Sequence, residues 1–394
     1  MSDTFLHGVE TITSNTVSLV NTIKTAVIGL IGTAISGDAN SLKICTSESD
    51  DTQFGATGTI PESLKIIRAI TKKTGATVFV ISVGTPSSTP EFGDFVGSYD
   101  TETGERKGLK LFDTCYSIYG FKPKIFIAPG FSSVAGVVTA LIATAESFRG
   151  CAYLDAPTDL TVTAVKALRN TGGIWAPLAH RAKLLYPELT YSDALLHPFS
   201  IYAAANRAKI DATAWTAGGG FWVSSSNWPI DGVSGLEIPI TASINDATAE
   251  TNQLNSVGIT TCFNNNGQDF REWGNRNSAF ATSSTDALTF EACQRAKDIV
   301  DESIELAMMP YIDKPIIQAF IDNVLQTVNQ YFNSLIARGA CIEGSKCAYD
   351  SAKNSNEELA TGHIIFTNTY FFPTPAERMT FDTVVDSSLL QNLK

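Results

Sequence analysis

Ile60–Ile70 (IPESLKIIRAI), followed closely by Thr77–Val83 (TVFVISV), decides the fold. In the first stretch Leu64, Ile67 and Ile70 recur at a spacing that gathers them on one helical face. Pro61 stands near the start with Glu62 behind it, where a helix N-terminus favours both. In the second, dense apolar and β-branched residues mark an interior strand. Upstream, Ala26–Ile31 (AVIGLI) reads as another buried strand. Strand, helix, strand in this order predicts an α/β layer.

The rhythm continues in both directions. Leu109–Tyr119 has a helix-like face, and Lys124–Ala128 (KIFIA) is a short apolar strand ended by Pro129 and Gly130. Ala135–Arg149 is a helix of small and apolar residues closing at Arg149 and Gly150. Cys151–Leu154 starts the next strand and Leu160–Arg169 the next helix. Between these elements Gly84–Lys107 carries Pro86, Pro90, Gly93, Gly97 and Gly104 among acidic residues, which predicts a surface loop or small inserted hairpin. Trp175 and Pro177 read as a strand edge entering a loop. Ser200–Thr213 reads as a closely packed helix and Ala217–Gly235 as a large structured loop. Asp246–Asn252 reads as a helix passing into a strand at Val257–Cys262. Asn264–Gly267 (NNNG) is a turn, and order resumes at Phe270–Gly274.

Thr289–Met309 is the most periodic segment. Phe290, Cys293, Ala296, Ile299, Val300, Ile304 and Ala307 line one face, and Arg295, Lys297, Asp298, Asp301, Glu302 and Glu305 fall elsewhere. Pro310 stops this helix, and Pro315–Arg338 makes a second one, stopped by Gly339. The two ends differ from the rest. Residues 1–20 alternate Thr and Val without a helical period. His363–Phe371 is a strand, Pro373 and Pro375 break it, and Met379–Val385 (MTFDTVV) alternates as a further strand. The expected organisation is an N-terminal arm and linker over 1–25, then α/β core over 26–83. A surface loop or small β subdomain follows over 84–107, the rest of the core over 108–360, and a C-terminal strand region and arm over 361–394.

Composition narrows the function. The chain has 394 residues, 44% of them hydrophobic and only 17% charged, with a net charge of -12. Phosphate binding needs a basic patch. Lys65, Arg68, Lys72, Lys73 and then Arg106, Lys107, Lys110 are the densest basic groups, and neither is interleaved with aromatics, so they read as solvated faces. No nucleic-acid partner is expected. A surface poor in charge suits packing against many copies of itself. Thr25–Gly37 is too short to span a bilayer, and no leader pattern is visible. Seven scattered cysteines without a CxxC pair fit reduced thiols in a product made in the cytoplasm.

Signals for chemistry are weak. Gly29-Leu30-Ile31-Gly32 is glycine-rich, but neither GxGxxG nor GxxxxGK[ST] occurs, so nothing gathers backbone amides and a lysine around a phosphate. His7, His180, His197 and His363 have no metal-ligand spacing. Asp193, His197 and Asp211 could form a carboxylate–imidazole pair, but no GxSxG elbow supplies a nucleophile. Asp298, Asp301, Glu302 and Glu305 lie, by helical spacing, mostly on a solvated face. Gly218-Gly219-Gly220 before Phe221 and Trp222 reads as a tight turn or a contact between subunits. Catalytic, cofactor and metal residues are therefore all expected to be none.

Five ordered motifs point elsewhere: His7-Gly8-Val9 ahead of Thr25–Leu30, then Gly108-Leu109-Lys110 leading to Lys122–Ile125 and Ala128-Pro129-Gly130. Asn206–Asp211 (NRAKID) follows, then Asn255–Thr261 with Phe270–Arg276 (FREWGNR), and Ile312–Ile316 (IDKPI). In order and spacing these resemble the major tail sheath proteins of P2-like contractile phages and related bacteriocin particles over nearly the whole chain. The resemblance implies a structural subunit with an α/β core, a small inserted β subdomain and extended N- and C-terminal arms that add strands to neighbouring subunits. It implies hexameric rings stacked around a tail tube, with baseplate and tail terminator proteins as partners and no cofactor or membrane binding. The particle is a virion tail or tail-like particle assembled in the host cytoplasm. The residues expected to matter for assembly or framework are His7, Gly8, Val9, Gly130, Trp222, Trp273, Arg276, Lys314, Pro315 and Phe371. The alternatives are the sheath of another contractile injection system, or a soluble α/β ligand-binding protein or enzyme.

Overall fold

A computed structural model describes residues 20–87, 91–280 and 284–393. The arm expected over residues 1–20 lies outside them, apart from Val20. Thirteen strands are present among the described residues: β1 Val27–Thr33, β2 Leu42–Cys45, β3 Thr77–Gly84, β4 Ile125–Ile127, β5 Cys151–Asp155, β6 Ala182–Leu185, β7 Leu189–Tyr191, β8 Leu196–His197, β9 Val233–Leu236, β10 Ile259–Asn265, β11 Asp269–Trp273, β12 Lys346–Tyr349 and β13 Phe366–Thr369. The chain divides into two compact units. One comprises residues 24–298 with 374–393, the other residues 20–23 with 299–373.

The larger unit is built on an eight-stranded sheet of order β11-β10-β6-β5-β4-β1-β3-β2. Its six inner strands run parallel, and antiparallel β2 and β11 close the two edges. Every residue of β1 is buried. Ile28 and Leu30 face one core layer with Val78, Val80, Ile125 and Ile127, while Val27 and Ile31 face the other with Phe79, Ile81 and Phe126. That is why these strands read as continuous apolar runs. The first layer is covered by helices Thr59–Ile70 and Phe199–Ala212, the second by helix Ala135–Phe148 and the turns of 3₁₀ helix at Gly108–Thr114.

Gly29 and Gly32, read above as a glycine-rich segment, lie inside β1. A Cβ on Gly29 would meet the Phe126 and Phe112 rings at 3.0 and 3.1 Å, and one on Gly32 would lie 2.3 Å from Thr59 Oγ1. The glycines serve close packing. Gly84–Lys107 carries a short helix, Phe92–Val96, that buries Phe95 against Phe131 with ring centroids 4.3 Å apart, and Tyr99 bridges Arg106 across a small hairpin.

The smaller unit holds helix Gln318–Ala337, the C-terminal half of helix Glu291–Met308, and the antiparallel pair β12–β13. Val324, Val328, Tyr331, Phe332 and Leu335 form the buried stripe of its long helix. At its N-terminal end Ile23 N–H donates to Ser303 Oγ at 3.1 Å.

Two expectations need correction. Met379–Val385 alternates like a strand, yet the structure has no strand there: among the described residues the segment has no ladder partner. Arg295 and Asp298, read as lying off the buried face of their helix, are themselves buried, because ion-pair partners elsewhere in the chain meet them. All seven cysteines are buried and unbridged. Burial pushes the thiols of Cys45 and Cys115 up to about 12, and those of Cys293, Cys341 and Cys347 to about 11.

Candidate assembly site

In an open α/β sheet, ligands collect outside the carboxyl ends of the strands where the winding reverses. Here that place lies between β1 and β4, and protein groups fill it. Thr33 and Thr59 bond reciprocally, each backbone N–H to the other's hydroxyl at 3.0 and 3.3 Å, so the N-terminus of helix Thr59–Ile70 is satisfied from within. One strand further on, Asp155 takes the role an anionic ligand would have at the N-terminus of helix Phe199–Ala212. Its carboxylate accepts from Ser200 N–H and Ser200 Oγ, both at 2.6 Å, and from Ser132 Oγ at 2.8 Å. Burial pushes the Asp155 carboxyl up to about 6, against the pull of the bonds from Ser200 and Ser132. Asp193 lies 3.5 Å from His197, but Asp211 is held elsewhere by two arginines.

The motifs NRAKID and FREWGNR meet inside the body. Lys183, in the middle of β6 and fully buried, pairs with Glu272 of β11, lies 3.2 Å from Glu291 and donates to Ser225 at 2.8 Å. Tyr153 donates to Glu291 at 2.6 Å. Arg295 pairs with Asp211 at 2.5 Å, and Arg207 holds the same carboxylate at 2.6 Å. Three cations (Lys183, Arg207, Arg295) thus balance three anions (Glu272, Glu291, Asp211). Burial works against the Lys183 ammonium, but Glu272 and Glu291 hold its pKa above the usual lysine value. Burial likewise opposes ionisation of Glu291, yet Lys183 and Arg295 bring it down to about 2. The glycine run serves the same network: Gly220 C=O and Val223 C=O accept from Arg207 at 3.0 and 2.5 Å, so the loop is a tight turn wrapped on a buried guanidinium. Buried charges matched in this way fix geometry more than they add stability, and losing one partner is costly.

The predicted assembly residues scatter. His7, Gly8 and Val9 lie outside the described residues. Gly130 (φ +80°) turns the chain after β4. Trp222 is half-buried, edge-on to Phe221 with centroids 5.0 Å apart. Trp273 ends β11 against Phe263, 4.7 Å away. Lys314 and Pro315 are exposed on the connector between the two long helices, and exposed Phe371 accepts from Ile342 N–H at 2.9 Å. Of these, only Arg276 is tied to the C-terminal segment, through Glu377.

Two features lie outside the motifs, the second of them foreseen as a C-terminal arm. The first is an unfinished edge. Asn329 receives Cys347 N–H at 2.8 Å and donates to Cys347 C=O at 3.0 Å, so Cys347 turns its backbone groups away from β13. In an antiparallel ladder its register partner Asn368 then turns its own outward on the far edge. No described residue meets them there, whereas neighbouring Ile365 is satisfied by Asn354. Beside this sheet runs an apolar groove of about 390 Å³ lined by Met308, Ile316, Phe320, Val324 and Phe366 among others. The second feature is the C-terminal segment. Met379, Phe381, Val384 and Val385 are exposed, Phe381 at 84% and Val385 at 95%. Among the described residues, the hydrogen bonds of 378–393 are all local.

A filled switch point, an internal charge framework and, among the described residues, an unpartnered strand edge and C-terminal segment suit a building block. Residues 104–278 match the family described as phage tail sheath protein central domain. The chain is 32% identical to the tail sheath protein of Burkholderia phage BcepMu, in an alignment spanning 100% of this chain and 99% of that one. It is 27% identical to the tail sheath protein of Escherichia phage P2, over 100% and 98% of the two chains. Among solved structures, the sheath complex of the extracellular contractile injection system PVC in its contracted state superposes with a TM-score of 0.70 at 15% identity, covering 98% of this chain and 99% of that one. The contracted helical sheath of the anti-feeding prophage gives 0.67 at 18% identity, covering 98% and 100%. The chain belongs to the phage tail sheath protein family. It is a structural subunit of a contractile tail, and the family is not one of enzymes.

Proposed function

We propose that this subunit polymerises as stacked hexameric rings around a tail tube, bound at one end to a baseplate and at the other to a terminator, in a virion tail or tail-like particle assembled in the host cytoplasm. The N- and C-terminal arms of neighbouring copies add strands to the small sheet β12–β13, entering along the open edge of β13. Strand addition turns unpaired backbone groups of the monomer into ladder bonds of the assembly. The observation that carries this reading is the coexistence, in one chain, of an outward-turned strand edge and an extended apolar segment, neither with a partner among the described residues. Solved relatives described as anti-feeding prophage baseplate and PVC contracted sheath support it.

The sheath is built extended and shortens when the baseplate releases it. Near-rigid bodies rotate and slide outward while the woven arms keep each subunit tethered, and the tube is driven through the bacterial envelope. No nucleotide is consumed, because the free energy is the difference between two packings of one protein. The closed body suits this role, since a unit that moves without deforming transmits displacement. Removing residues 1–12 is expected to leave a folded monomer, by circular dichroism, that forms no contractile tubes in electron micrographs. Normal contractile tubes from the truncated chain would overturn the reading.

A further inference from the structure

Among the described residues, the Arg276–Glu377 pair joins the C-terminal segment to its own body. The Arg276 guanidinium lies 3.5 Å from the centroid of the Phe290 ring and 4.5 Å from that of Phe280. Its Nη1 donates to Thr289 Oγ1 at 2.6 Å, while Nε and Nη2 reach the two carboxylate oxygens of Glu377 at 3.0 and 2.5 Å. A planar fork held between aromatic faces and pairing bidentately is the arrangement in which an arginine grips a carboxylate most firmly.

The two sides of this contact differ in rigidity. On the Arg276 side the backbone bridges to Phe290. Asn277 N–H donates to Thr289 C=O at 2.8 Å and Glu291 N–H to Asn275 C=O at 3.0 Å, which ties the site to the start of the long helix and to the buried charge framework through Glu291. On the Glu377 side the chain has passed Pro373 and Pro375 and carries no regular structure, and after Glu377 every hydrogen bond is local. Among the described residues, Glu377 is therefore the last point at which the C-terminal segment is held by its own subunit.

We propose that Arg276 is the positioning residue of the C-terminal arm: by gripping Glu377 it fixes where the arm leaves the body. This rests on the reading that the arm is lent to a neighbour. The reach to that neighbour is then measured from residue 378. Releasing the grip frees residues 374–377, adding roughly 13 Å of slack at about 3.3 Å per extended residue. Subunits joined by a slack arm lose their defined spacing, although the body is unchanged.

The test uses the full chain with Glu377→Gln, which keeps the shape of the side chain and removes its charge, and Arg276→Lys, which keeps the charge and loses the fork. For Glu377→Gln the melting temperature of the monomer is expected to stay within about 2 °C of the parent, while tryptic cleavage after Arg378 rises about fivefold, the loss of one well-formed exposed ion pair. Assembled tubes should lose helical order in electron micrographs, and Arg276→Lys should fall between parent and Glu377→Gln on both readouts. Unchanged cleavage and unchanged tube order in Glu377→Gln would overturn the proposal. A chain truncated after Glu377 separates it from the arm reading. If the truncated chain still forms normal tubes, the arm reading fails. If it forms none while Glu377→Gln behaves as the parent, only the grip is wrong.

Discussion

The eight-stranded sheet and the pair β12–β13 are both sheets of this protein, and they treat their borders in opposite ways. The large sheet ends in antiparallel β2 and β11, is covered on both faces, and matches the charges buried in it. The small sheet has two strands, one edge held by Asn329 and the other open among the described residues. A two-stranded ribbon alone is marginal in water, and an open edge invites pairing with another chain. One region is finished inside the monomer, and in the reading proposed above the other is completed by the assembly.

Three changes probe that contrast. The largest effect belongs to Lys183→Met, which strands Glu272 and Glu291 in the core without their ammonium. A loss of about 3–5 kcal/mol is expected in urea unfolding, enough to leave much of the chain insoluble. A loss below about 1 kcal/mol would mean that the body is not held by matched charge.

Asn368→Pro removes only an outward N–H and should lower monomer stability by less than about 1 kcal/mol, yet abolish tubes in electron micrographs. Thr367→Pro, one residue away, removes an inward ladder bond and should destabilise the monomer itself. If the two prolines behave alike, the edge is not the one assigned here.

The third test is a pH slope. The folded Asp155 carboxyl titrates near 6, above its ordinary value of 3.8. Its contribution to stability is therefore full below about pH 4 and is lost as pH rises through 6, a swing of about 3 kcal/mol. Melting measured from pH 5 to 8 should show Asp155→Asn gaining on the parent as pH rises, and parallel curves would contradict that environment for the carboxylate.

What the sequence made legible follows from range. Helix Thr59–Ile70 and strands β1 and β3 are local patterns of apolar residues, and they stand within a residue or two of where periodicity places them. Strand β6 was not legible, because Lys183 interrupts its apolar run. Its burial makes sense only with Glu272 and Glu291, 89 and 108 residues away. Arg295 and Asp298 carry a helix spacing that says solvent, and Asp211 and Arg181 overrule it from 84 and 117 residues off. The alternation at Met379–Val385 has the period of a strand, although no described residue of the chain pairs with it. The open edge of β13 depends on which way Cys347 points, and nothing in a one-dimensional pattern encodes that.

The seven shielded thiols bear on the durability of the particle. Thiolate is the form that air and peroxide attack, and here both burial and a raised pKa keep it scarce. If the subunit is assembled in a reducing cytoplasm and released into an aerated medium, as the proposed function has it, hidden sulfur keeps neighbouring copies from being stapled to one another by disulfides and leaves their contacts free to slide.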